Sequence, residues 1–153
     1  MLGLDKALVL YHSQQYGNTG KMAEAMAEGL RVGGYQVTIF NANEKRFPIE
    51  TYSEYDCVAL GTPDYFSHIA GTMKTFMDDW YISRNKPGFK GKYYVLFFSH
   101  GGGGRVKEAM VSIFKHLGDQ VGEPLGCSGE PSKDVLEKCR GLGVELAKKV
   151  KKQ

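Results

Sequence analysis

Short apolar runs alternate along the chain with amphipathic stretches, and this alternation restricts the fold more than any other feature of the sequence. Residues 7–11 and 94–98 are almost continuously apolar, which is typical of strands covered on both faces of a parallel sheet. Between such runs the apolar residues recur every three or four positions, which predicts helices. The alternation therefore predicts an α/β fold, in which helices cover both faces of a doubly wound parallel sheet.

The individual elements follow from the same pattern. The predicted strands are 7–11, 37–40, 57–60, 94–98 and a fifth somewhere within 121–128. The predicted helices carry apolar faces over 22–30, 69–80, 106–117 and 136–150, and a further helical turn is expected at 48–54. Ser132 is predicted to cap the last helix, and Trp80 is expected in the core.

Length and composition favour one globular domain over residues 1–153, with 42% apolar residues and a net charge of +3. No apolar run approaches the ~20 residues that span a bilayer, and the N-terminal sequence does not resemble a signal peptide, so we expect a cytoplasmic protein. The lysines within 148–152 close a helix, which predicts neither nucleic-acid binding nor membrane insertion. The three cysteines are scattered, without a C-x-x-C pair, and are expected to be free buried thiols without a metal: Cys57, Cys127 and Cys139.

Three unusual loops follow the first, third and fourth predicted strands, and a doubly wound sheet brings such loops to one edge. The first loop, 12–20, enters the N-terminus of a helix, where free backbone N–H groups and the helix dipole favour an anion. It offers Ser13, Asn18 and Thr19 as donors and has no cation before Lys21, which predicts a phosphate held by neutral groups. An ordinary turn in which Thr19 caps the helix is the alternative.

The other two loops point to a flat ligand. Tyr65 and Phe66 stand together in the second loop, 61–71, and favour a planar aromatic partner, unless they pack back on the domain. The third loop places four glycines after His100, which favours backbone lying directly against a ligand, with a flexible surface loop as the alternative. Together the three loops predict a mononucleotide with a large flat ring.

At these loops the sequence resembles the flavodoxin superfamily. Residues 16–19, Tyr-Gly-Asn-Thr, look like the phosphate-loop signature of flavodoxins, and 61–78 are similar to the WrbA-type NAD(P)H:quinone oxidoreductases. Residues 131–143 are also similar to flavodoxin-family oxidoreductases. The resemblance implies a flavodoxin-like three-layer sandwich around a five-stranded parallel sheet of order 2-1-3-4-5, with FMN bound non-covalently.

The resemblance also assigns residues to the cofactor. The 5′-phosphate of FMN would contact Ser13, Tyr16, Gly17, Asn18 and Thr19. The isoalloxazine would lie against Thr62, Pro63, Tyr65 and Phe66, with Asp64 flanking this platform. Its other edge or face would meet Ser99, His100, Gly101 and Gly102, and His100 is also the candidate proton donor. The chain departs from the WrbA type in having Ser67 where glycine is usual, and from flavodoxins in its basic charge and its third loop without a stacking tyrosine.

Two functions are implied, and the sequence leaves both open. One is reduction of a quinone or flavin substrate by NAD(P)H through FMN; the other is electron transfer between redox protein partners, as in flavodoxins. A flavin-free interaction module would need all three loops to be accidental, and a homodimer stays open. Because 64–68 contain no glycine, positive φ angles are expected to be costly there, and on this basis we expect the flavin to pass electrons in pairs.

Overall fold

Each apolar run of the sequence forms a strand, and the strands line up in one parallel sheet. The computed structural model describes residues 5–14 and 17–151. Within them the strands are β1 (Lys6–Tyr11), β2 (Gln36–Asn41), β3 (Cys57–Pro63), β4 (Lys92–His100), β5 (Gly118–Gln120) and β6 (Leu125–Ser128). Their order is β2-β1-β3-β4-β5, with β6 also paired to β4. The predicted order 2-1-3-4-5 is thereby confirmed, and the sixth strand is additional.

The fifth strand differs from its prediction because it is divided into two short pieces. β5 lies before the predicted range of 121–128 and pairs with Lys92–Tyr94, whereas β6 lies inside that range and pairs with Phe97–His100. Between the pieces, Gly122 has a φ of 66° and Pro124 has no N–H to donate. A proline and a left-handed glycine interrupt a hydrogen-bond ladder, so the strand runs beside β4 in two segments.

The helices form one layer on each face of the sheet. They are α1 (Asn18–Val32), α2 (Gly71–Ser83), α3 (Val106–Phe114) and α4 (Lys133–Lys151), and single 3-10 segments cover Ile49–Glu54 and Lys115–Leu117. Alternate residues of a strand point to opposite faces: Leu8 and Leu10 pack with α2 and α3, whereas Ala7 and Val9 pack with α1 and α4. The helical turn expected at 48–54 is confirmed.

Several local predictions are confirmed in the helices. Ser132 caps α4, since its Oγ accepts a hydrogen bond from the Val135 N–H at 3.2 Å. Trp80 is buried, and its indole N–H donates to the Phe89 carbonyl at 3.2 Å. Cys57 and Cys139 are free thiols, and burial raises the pKa of each to about 12. Among the described helices, none is both long enough and apolar enough to cross a membrane.

Helices α1 and α4 approach each other at two glycines. A Cβ atom on Gly29 would overlap the backbone of Arg140, and one on Gly143 would lie 2.5 Å from the Met26 carbonyl oxygen. The two backbones therefore touch directly at this crossing. Because α1 follows the loop after β1, this contact also affects where that loop lies relative to the sheet.

Candidate cofactor site

The loops after β1, β3 and β4 surround one cavity of about 260 Å³ at the C-terminal ends of the strands. Eight predicted site residues line it: Asn18, Thr19, Pro63, Asp64, Tyr65, Ser99, His100 and Gly101. Gln14 and Gly129 complete the lining. Five other predicted residues belong to the same loops but do not line the cavity: Ser13, Gly17, Thr62, Phe66 and Gly102. Tyr16 lies outside the described residues, and the cofactor contacts of all these residues stay predictions.

The first loop delivers the N-terminus of α1 to the cavity. Gly17 stands at the N-cap position with a φ of 71°, a conformation that glycine adopts without steric strain. The Ser13 Oγ accepts the Gly20 N–H at 3.1 Å, and Asn41 holds the Ser13 backbone through two hydrogen bonds of 3.1 Å. The first amides of a helix have no partner within the helix and lie at its positive end. The described part of this loop is therefore held by hydrogen bonds, and the free amides at the start of α1 are the kind of group that favours an anion.

The alternative in which Thr19 caps α1 is wrong. Thr19 is the second residue of α1, where no side-chain cap is present, and its hydroxyl is 2.7 Å from the Ser99 hydroxyl. Both side chains are buried. Thr19 therefore joins the start of α1, which follows the first loop, to the end of β4, which precedes the third loop.

The second loop ends in a tight turn at Phe66 and Ser67. The backbone N–H and C=O groups of Tyr65 and His68 bond to each other at 3.0 Å in both directions. Phe66 and Ser67 have φ angles of 57° and 63°, as both central residues of a type I′ turn do. Positive φ angles therefore occur in this loop although it lacks glycine, so their expected cost does not prevent the turn from forming. The transfer of electrons in pairs stays a prediction.

We expect Ser67→Gly to raise the free energy of unfolding by about 0.5–1 kcal/mol. A left-handed φ disfavours a residue with Cβ by roughly 1–2 kcal/mol, and the extra freedom of glycine in the unfolded chain offsets part of that gain. Urea unfolding of the protein without FMN measures this change in the free energy of unfolding. Ser53→Gly, in the 3-10 segment, is the control and should be neutral or destabilising. A loss of stability in Ser67→Gly would show that the turn is not strained.

The aromatic side chains of this turn face different surroundings. Phe66 is fully exposed at the tip, whereas Tyr65 is half-buried and meets the His12 ring edge-on at 5.7 Å. Thr62 is buried, donates to the Pro63 carbonyl at 2.8 Å and accepts the Ala70 N–H at 2.9 Å. Thr62 therefore holds the loop in shape, and Tyr65 is the aromatic ring that reaches the cavity.

His12 contacts Tyr65 of the cavity lining, and the sequence analysis did not select it. It is 5% exposed, its Nδ1 lies 2.7 Å from the Thr72 hydroxyl, and its Nε2 is buried without a partner among the described residues. Burial lowers the pKa of His12, and a weaker opposing effect comes from the side chain of Gln14, which can accept a hydrogen bond from the ring. A polar residue directly after a buried strand was the available signal. The His12 ring packs edge-on against Tyr65 and so supports it.

The third loop contains glycines of two kinds. Gly104 has a φ of 65°, and a Cβ there would press against the His100 ring at 3.2 Å, so the fold itself favours glycine at this position. At Gly101 and Gly102 a Cβ would meet nothing within 4 Å, and neither has a positive φ. Packing within the protein therefore does not require glycine at these two positions. The open edge of the cavity beside them is the space that a ligand would fill.

His100 borders this open edge. Its ring stacks on Phe98 with centroids 5.9 Å apart, and its Nδ1 is buried without a hydrogen-bond partner among the described residues. The backbone carbonyl of His100 accepts the Gly129 N–H at 2.9 Å. A buried polar atom with no partner is unfavourable unless a ligand satisfies it.

The family model named Flavodoxin matches residues 9–143 of the chain. The chain belongs to the flavodoxin family. A solved structure agrees with this membership over most of the chain. A flavodoxin from the domain Archaea is 26% identical, with a TM-score of 0.81 over 95% of this chain and 99% of the other.

Two further flavodoxin-like structures share the fold at lower identity. The flavodoxin, WrbA-like protein from Agrobacterium tumefaciens is 22% identical, with a TM-score of 0.81 over 97% of this chain and 98% of that one. The rubredoxin oxygen:oxidoreductase from Desulfovibrio gigas is 19% identical, with a TM-score of 0.80 over 96% of this chain. This flavodoxin spans only 36% of that longer protein.

FMN is the cofactor of this flavodoxin, and the cavity suits it. The amides at the start of α1 and the hydroxyls beside them are the kind of donors that hold a phosphate without a cation. Tyr65 offers a ring for stacking, and the edge at Gly101 and Gly102 leaves room for a flat group. His100 Nδ1 offers a buried polar atom that a ring heteroatom or carbonyl can satisfy.

Proposed function

We propose that this flavodoxin reduces a quinone or a free flavin with electrons from NADH or NADPH. When bound, FMN would supply the redox chemistry, namely hydride transfer from the nicotinamide and two-electron reduction of the second substrate, which takes up protons from solvent. The observation that carries the proposal is the glycine edge of the cavity: Gly101 lines the cavity, and a Cβ on Gly101 or Gly102 would meet nothing within 4 Å.

The chain's own residues have separate tasks in this proposal. Gly17, Asn18 and Thr19, with Ser13 and Tyr16, hold the phosphate and so anchor the cofactor at one end. Tyr65, braced by His12, supports one face of the flat ring. His100 stands at the border of the open edge, where its imidazole can donate a hydrogen bond or a proton to an oxygen of the acceptor.

Charge also favours a small substrate over a protein partner. Electron-carrier proteins commonly dock on their partners through complementary charge. A carrier that docks on a basic partner would need an acidic surface around its cofactor. This chain has a net charge of +3. Asp64 lines the cavity and accepts two backbone N–H groups, and Glu130, next to the lining residue Gly129, pairs with Lys21 at 2.8 Å. The negative charges of both residues are therefore partly balanced within the protein.

Anaerobic mixing of the FMN-loaded protein with NADH or NADPH tests the proposal. We expect the visible absorbance of the bound flavin to bleach and to return when a soluble benzoquinone is added. Dithionite serves as the control, because it reduces the flavin whether or not a nicotinamide can reach it. If dithionite bleaches the flavin and neither nucleotide does, the reductase proposal fails.

Electron transfer between protein partners is the second candidate. It is favoured by the 26% identity to the archaeal flavodoxin, which covers 95% of this chain and 99% of the other. The fully exposed Phe66 at the tip of the second loop would then lie in the contact with the partner.

A further inference from the structure

Asp64 connects the two loops that flank the flat part of the cavity. We propose that it is a positioning residue for FMN, which holds the tip of the β3–α2 loop and the start of α3 at a fixed separation. The proposal rests on FMN as the cofactor and is independent of which substrate or partner exchanges electrons with it.

The contacts of Asp64 reach three parts of the site. One carboxylate oxygen, Oδ1, accepts the Ser67 N–H at 2.7 Å, within the turn that carries Tyr65. The other, Oδ2, accepts the Val106 N–H at 3.2 Å, at the first residue of α3. The Asp64 N–H donates to the Ser99 carbonyl at 2.8 Å, at the end of β4.

The bond to Val106 gives α3 a cap from a distant loop. Arg105 occupies the N-cap position of α3 and makes no side-chain capping bond. A carboxylate at the positive end of a helix is stabilised by the dipole as well as by the hydrogen bond. Asp64 therefore does for α3 what a serine or aspartate at the N-cap does in other helices, although it lies 42 residues away in the sequence.

The glycine loop depends on this cap for its position. Residues 101–104 are four consecutive glycines, which have the largest backbone freedom of any residues. Ser99 and Val106 stand on either side of them, and both are bonded to Asp64. A ligand binds more tightly to a loop that is already ordered, because less conformational entropy is lost on binding. Asp64 thus contributes to FMN affinity through the loop that it orders.

The hydrogen bond from Ser67 alone would be ordinary, because aspartate side chains in turns often accept a nearby backbone N–H. What distinguishes Asp64 is the second oxygen, which leaves its own loop and reaches α3. Its negative charge also lies in the lining of the cavity. An anion beside the flavin opposes the gain of negative charge on reduction, so Asp64 should lower the midpoint potential of the bound flavin.

The test compares Asp64→Asn and Asp64→Ala with Glu108→Gln. Asparagine keeps one acceptor oxygen, and alanine keeps none. Glu108 is an exposed acid in the first turn of the same helix, so its variant removes a charge from α3 and leaves the link between loops intact. The dissociation constant for FMN is measured by quenching of FMN fluorescence, and urea unfolding of the apoprotein measures the fold.

We expect Asp64→Ala to weaken FMN binding by about tenfold or more and Asp64→Asn by less, whereas Glu108→Gln changes it by less than about twofold. The midpoint potential should rise in both Asp64 variants and stay nearly constant in Glu108→Gln. Unchanged FMN affinity in a folded Asp64→Asn or Asp64→Ala variant would overturn the proposal, as would equal losses in Glu108→Gln. If Asp64→Ala does not fold, Asp64→Asn alone decides. A failure of NADH and NADPH to reduce the flavin leaves these measurements untouched.

Discussion

We expect Gly29→Ala to lower the free energy of unfolding by about 3 kcal/mol, the largest effect of any substitution considered for this protein. A Cβ on Gly29 would overlap the carbonyl oxygen of Arg140 and would stand 2.8 Å from its carbonyl carbon and 3.1 Å from its Cα. These are backbone atoms of α4 and cannot rotate aside as a side chain can. The two helices would have to separate, which would open the core between them.

Gly141→Ala is the matched control for this prediction. Gly141 lies in α4, the helix that Gly29 of α1 contacts, and it is exposed; a Cβ there would meet nothing within 4 Å. Alanine favours a helix over glycine by about 0.8–1 kcal/mol, so this variant should be more stable than the parent. Urea unfolding of both variants gives the comparison. If Gly29→Ala changes stability by less than about 1 kcal/mol, the α1–α4 contact is not as close as the structure indicates.

Thr19→Val should have the second largest effect, about 2 kcal/mol of lost stability. Valine keeps the shape of threonine but removes the hydroxyl that lies 2.7 Å from the Ser99 hydroxyl. Ser99 is 6% exposed, so its hydroxyl would be left buried and unpaired. FMN binding should weaken as well, because Thr19 lines the cavity. Urea unfolding measures the first effect in the apoprotein, and FMN titration measures the second.

A double-mutant cycle with Ser99→Ala separates this hydrogen bond from other effects. Removing both hydroxyls leaves no buried unpaired group, so the double variant should be more stable than the sum of the two single losses predicts. Additive losses would contradict the direct Thr19–Ser99 link. A loss of FMN affinity with no loss of apoprotein stability would place the Thr19 hydroxyl against the cofactor instead.

Local patterns in the sequence account for most of the fold. The strands β1, β3 and β4 begin or end within a few residues of their predicted limits, because apolar runs and helical periodicity report burial residue by residue. β5 is different. Gly118, Asp119 and Gln120 have no apolar pattern, and they form a strand because the edge of β4 at Lys92–Tyr94 offers free hydrogen-bonding groups. Whether such a segment forms a strand therefore depends on the neighbouring strand and not on its own sequence.

The candidate cofactor site shows the same division between what local sequence predicts and what tertiary structure determines. Residue types alone were enough to choose the three loops and to predict a mononucleotide with a flat ring, since helix N-termini, loop aromatics and glycine runs each indicate a chemistry through local structure. The family resemblance was needed to identify that mononucleotide as FMN. The side-chain contacts within the site could be identified only from the folded structure. His12 meets Thr72 across 60 residues and Thr19 meets Ser99 across 80, and no local pattern reports such distances. The positive φ angles of Phe66 and Ser67 belong to the same class, because the paired backbones of Tyr65 and His68 and the carboxylate of Asp64 hold a turn that the two residues would not adopt alone.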